Sequence, residues 1–135
     1  MGWLDKLRGS RRKEPGFIYV KLPLSIMPVE RGERFEDPID AELQRTHLGS
    51  VSGGGTLMSA PDPEGNKSIL YCGVDVDADD LDRARALLRD VLPGFGAPNH
   101  TALQYEVGND HFEDIYSAGA WTLAVLQRAA KNGLN

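Results

Sequence analysis

The chain has 135 residues, 41% hydrophobic and 26% charged, with a formal net charge of −5. Those values predict one globular domain with a single core, and the lone Cys72 excludes an internal disulfide framework and suits a reducing cytosol. Residues 16–135 carry ten basic and eighteen acidic side chains, a balance that opposes phosphate-backbone binding and excludes nucleic acid as the expected partner.

The first fifteen residues differ from the rest. Five basic side chains stand there against two acidic ones, a net of +3, and no apolar run is long enough for a signal or a membrane span. Trp3, Leu4 and Leu7 share one face if residues 2–9 are helical. The segment 1–15 therefore reads as a frayed terminus, with membrane-surface or partner contact as the other use of such a peptide.

From Gly16 the pattern becomes regular. FIYVKLPL alternates Ile18, Val20 and Leu22 against Phe17, Tyr19 and Lys21, a half-buried strand. SIMPVERGERFEDP reads as a charged loop. Asp37-Pro38 then predicts a helix start, with Ile39, Leu43 and His47 on one stripe and Gly49 closing it. VSGGGTLM predicts a glycine-weakened strand, at an edge or with a bulge, and SAPDPEGNK a turn. SILYCGVDV predicts a strand with Leu70, Cys72, Val74 and Val76 inward. A helix over 80–92 buries Leu81, Ala84, Leu88, Val91 and Leu92. TALQYEV predicts a strand with Leu103, Tyr105 and Val107 on one face, and residues 115–131 have the composition of a helix.

This order predicts an α+β, ferredoxin-like βαββαβ domain over 16–107. It has a four-stranded antiparallel sheet with two helices on one face. Residues 108–135 are expected as a helical extension. That helix is expected to pack on its own sheet and bury Tyr19 and Tyr71. Docking on another chain is the alternative.

Several chemistries fail on their spacing. Asp75, Asp77 and Asp79 start like a calcium loop, but Asp80 replaces the required glycine and Ala86 the bidentate glutamate. The stretch reads instead as helix capping. Gly53-Gly54-Gly55-Thr56 lacks the lysine and the following helix of a phosphate loop. Cys72 alternates with Leu70 and Val74, which favours a buried thiol over a nucleophile. His100, His111, Glu113 and Asp114 have no metal-ligand spacing. No catalytic, cofactor or metal site is expected. The outward aromatics Phe17, Tyr19 and Tyr71 lack the signature of an RNA-recognition motif.

KLPLSIMPVERGERFEDPIDAEL, GSVSGGGTLMS and CGVDVDADDLDRARALLRDVL resemble a group of small uncharacterised bacterial ferredoxin-like α+β proteins, some of immunity or inhibitor type. The resemblance covers residues 16–107 and implies no catalytic residue. The function expected is a non-enzymatic cytoplasmic protein-binding module, its acidic body suited to a basic protein partner. The candidate surface is Arg31, Glu33, Arg34, Phe35 and Glu36 in the charged loop, with Tyr19 and Tyr71 on the sheet. The alternative is a small-ligand regulatory domain of ACT type, binding at the long 25–37 loop.

Overall fold

The alternation in GFIYVKL builds β1 (Gly16–Leu22). Ile18, Val20 and Leu22 are fully buried, and Phe17, Tyr19 and Lys21 stand on the opposite side. The computed structural model describes residues 13–128. The expected helical turn around Trp3, Leu4 and Leu7 lies outside the described residues.

The charged stretch expected as a loop is helical. α1 (Pro28–Arg31), a π-helical turn (Gly32–Glu36) and α2 (Asp37–Arg45) follow one another without a break. The signal is a spacing of four: Arg31, Phe35, Ile39 and Leu43 fall on one face, and all four are buried. Pro28 takes an early helical position, whereas Pro38, expected to open the helix, lies inside the run. Proline has no N–H to donate and crowds the carbonyl one turn back. The wide turn before it absorbs that misfit, with the Asp37 N–H donating to Gly32 O, five residues behind.

β2 (Gly49–Met58), β3 (Ile69–Ala78), α3 (Leu81–Val91) and β4 (Ala102–Val107) come next. Cys72, Val74 and Val76 face the helices as expected. Leu70, also expected inward, remains 54% exposed, and Val107, expected on the face of Leu103 and Tyr105, is 53% exposed. The acidic stretch is a junction: β3 ends at Ala78, and Asp80 Oδ1 accepts the Arg83 N–H (3.3 Å) at the start of α3.

The largest correction is C-terminal. Residues 115–131 do not form a helix; β5 (Asp110–Ser117) and β6 (Ala120–Arg128) occupy the stretch as a hairpin. Among the described residues, one antiparallel sheet has six strands in the order β2-β3-β1-β4-β5-β6. A four-stranded ferredoxin-like domain with a terminal helix is therefore not the fold. The architecture is α+β, with the helices on one face of a wider sheet. Gly108 (φ 63°) opens the tight link from β4 to β5. Ala118 (φ 53°) and Gly119 (φ 82°) supply the two left-handed positions of a primed hairpin turn. Alanine content suggested a helix, but helix propensity is a weak prior that packing overrides. Here the Tyr116 and Trp121 rings meet across the hairpin at 5.1 Å, and Trp121 Nε1 donates to Arg89 O at 3.0 Å.

Candidate functional site

With no terminal helix over it, the sheet face opposite the helices is uncovered by any described element. Phe17, Tyr19 and Lys21 of β1 lie there beside Tyr71, Gly73 and Asp75 of β3. Tyr19 lies down on Gly73, where a Cβ would overlap its ring and hydroxyl. Burial raises the pKa of Tyr19, and the neighbouring Tyr71 and Asp75 add to the rise. Lys21 places its ammonium over the Tyr71 ring, 4.4 Å from the centroid. This half of the face is thus packed against itself.

The other half opens into a groove. β1 pairs with β3 from Gly16 to Leu22, and β4 pairs with β5 from Ala102 to Val107. Between β1 and β4, however, only Tyr19, Val20 and Lys21 find partners, in Gln104, Leu103 and Ala102. Beyond Tyr19 the two strands part. The start of β1 is drawn toward α3, because the Leu81 N–H donates to Glu14 O (2.7 Å) and the Leu81 side chain packs on Gly16. The end of β4 follows β5 instead. The resulting groove holds about 850 Å³ and is lined in part by Phe17, Tyr19, Glu106, His111, Phe112 and Glu113.

Its electrostatics are one-sided. Glu113 Oε2 accepts from the neutral Gln104 amide at 2.5 Å, and Glu106 Oε2 lies 3.2 Å from His111 Nδ1. Neither carboxylate pairs with Lys or Arg among the residues whose side chains are described. Phe17, 49% exposed, stands at the opposite wall. A groove with two carboxylates and aromatic walls suits a cation carrying apolar surface.

Behind the groove a buried ionic cluster fixes the hairpin to α3. Asp114 is fully buried and receives Arg85 Nε, Arg85 Nη2 and Arg89 Nη1, each at 2.9 Å. It also accepts the Tyr105 hydroxyl at 3.0 Å and the Ala124 N–H at 2.8 Å. Burial works to raise the Asp114 pKa, but the Arg85 hydrogen bonds and the Ala124 N–H outweigh it and hold the carboxyl below its ordinary value. Burial, then the Asp114 charge, pushes Tyr105 up to about 12. Tyr105 in turn stacks on Phe112, centroids 5.9 Å apart, and carries the Arg85 guanidinium on its ring at 4.0 Å. The cluster is structural: its ionised groups satisfy one another.

The residues expected to form a surface are mostly placed elsewhere. Phe35 is in the core and Arg31 is buried, donating to Glu36 Oε2 (2.5 Å) and Thr56 Oγ1 (2.9 Å). Gly54 makes room for that pair, since a Cβ there would overlap Glu36. Arg34 binds Glu30 at 3.1 Å, and Glu33 is exposed. The 25–37 loop on which a small-ligand site depended is helical from Pro28. Tyr19 and Tyr71 do share the open face, and Tyr19 borders the groove. Glu106, His111 and Glu113 were missed as a group because they meet only through the β4–β5 register, where Glu106 faces His111 and Gln104 faces Glu113. Cys72 is fully buried, and burial pushes its thiol pKa up, the reverse of nucleophile activation. Among the described residues, no helix is long and apolar enough to cross a membrane.

No protein-family model matches the chain, and comparisons with curated proteins and with solved structures give no match.

Proposed function

We propose that the protein is a small non-enzymatic binding module for a basic protein partner, acting in the cytosol in the manner of an immunity or inhibitor protein. One observation carries this reading: the groove beside the open sheet face sets Glu106 and Glu113, unpaired with any Lys or Arg whose side chain is described, next to the exposed ring of Phe17. Carboxylates on one side and apolar surface on the other are what a Lys- or Arg-bearing partner needs for steering and for burial. The net charge of the whole chain, −5, extends the same preference beyond the groove. The buried, raised-pKa thiol of Cys72 supports a binding role over cysteine chemistry.

The test is a titration of the full chain against Lys- and Arg-rich peptides and small basic proteins at low and high salt. Binding that weakens as salt rises, and that Glu106→Lys with Glu113→Lys removes, is the expected result. No binding of any basic ligand at low ionic strength would sink the proposal. For the immunity version, the test is whether a neighbouring gene encodes a basic toxin and whether this protein rescues cells from it; a neighbourhood without one would count against it.

A further inference from the structure

We infer that the groove receives its partner as an added β-strand: an extended peptide that pairs with the inner edges of β1 and β4 where these part, and that carries alternating basic and apolar side chains. The inference rests on the basic-partner reading and adds the mode of recognition to it.

Among the described residues, the two inner edges are strand edges without a strand. β1 is paired along seven residues on its β3 side, and β4 along six on its β5 side, yet only three pairs join β1 to β4. Gly16–Ile18 and Tyr105–Val107 are therefore extended and held in register from behind, while the sides they turn toward each other have no strand partner among the described residues. In a strand, every second residue directs its N–H and C=O to each side, so these edges offer ready-made partners for an incoming backbone.

They are also the regular edges of the sheet. At the outer edges, β2 pairs with β3 through two register shifts and β6 pairs with β5 through two more. Such irregularities blunt an edge against a further strand. The β1–β3 and β4–β5 ladders run without a shift. Three residues of strand cover about 10 Å, so a short extended segment spans the unpaired stretch.

Side-chain alternation then sets the sequence of the guest. Strand addition takes affinity from main-chain bonds and specificity from what lies beside alternate side chains. On the open face these positions meet Glu106 and Glu113, which call for Lys or Arg. Toward the helices they meet the stacked Tyr105 and Phe112 rings, which call for an apolar residue.

The experiment uses the full chain and a capped heptapeptide alternating Lys and Val, beside the same peptide N-methylated at every second residue in each of the two registers. The parent is expected to bind. Methylation in either register should weaken binding about tenfold or more, because alternate N–H groups of the guest turn to β1 and to β4, and the parent should slow amide exchange within Gly16–Ile18 and Tyr105–Val107. Equal affinity of parent and both methylated peptides, without new protection, would overturn strand addition and leave salt-dependent docking standing. Failure of every basic peptide and protein to bind would overturn both. A dimer of the protein that Glu106→Lys dissociates would put a second copy in the groove, against this inference. Protection of the same inner-edge amides in the peptide-free protein would place the chain's own residues there, also against it.

Discussion

Arg85 grips Asp114 with two arms, Nε to Oδ2 and Nη2 to Oδ1, both at 2.9 Å, across the gap between helix α3 and the β5–β6 hairpin. Such a pair fixes geometry more than it adds stability, because desolvation of both ions offsets much of their attraction. Breaking one side is different. Asp114→Asn takes the fully buried carboxylate away from the half-buried Arg85 and Arg89, with the exposed Asp82 still beside Arg85 at 3.3 Å, and a loss of about 3 kcal/mol is expected in denaturant unfolding. Pairing it with Arg85→Met should restore part of that loss. Strict additivity of the two changes would show that the contact is not coupled.

The same cluster sets the pH limits of stability. The folded Asp114 pKa lies below the unfolded one, so its contribution is fully present above about pH 4 and is lost as pH falls through the folded value. Tyr105 has the opposite sign. Its folded pKa of about 12 exceeds the ordinary 10, so its contribution holds below pH 10 and fades as pH rises toward 12. Denaturant midpoints measured against pH should fall at both ends. Tyr105→Phe should flatten the alkaline limb, and Asp114→Asn the acid limb. A limb unchanged by its own substitution would remove that assignment.

Gly73 owes its identity to Tyr19. A Cβ at Gly73 would occupy the space of the Tyr19 ring, so Gly73→Ala should cost about 1–3 kcal/mol by overpacking. Removing the ring relieves the clash, and Gly73→Ala should be far milder in a Tyr19→Ala background. Equal penalties in both backgrounds would mean that Tyr19 does not rest there in solution.

Cys72 should behave as a core residue. It is fully buried and its pKa is raised by burial. A thiol reagent is expected to modify the folded protein only as fast as the structure opens, and to react promptly in denaturant. Rapid modification under native conditions would reinstate a reactive thiol.

Much of the molecule was legible along the chain. Period-two alternation placed β1, β3 and β4, because a strand with one buried face repeats apolar residues at every second position whatever it pairs with. The amphipathic stripe and the Asp80 cap placed α3 for the equally local reason that a helix satisfies its own backbone. Two elements were misjudged where local signals competed. Charged neighbours masked the four-residue spacing of Arg31, Phe35, Ile39 and Leu43, and alanines masked the hairpin turn at Ala118-Gly119. The groove belongs to the tertiary structure alone. Glu106 and Glu113 meet His111 and Gln104 only through the register of a hairpin, and Phe17 reaches them only because β1 leaves β4 after three pairs. Strand pairing joins residues distant in sequence, and where two strands part is set by what pulls on each, here Leu81 on one and β5 on the other. No local pattern encodes that.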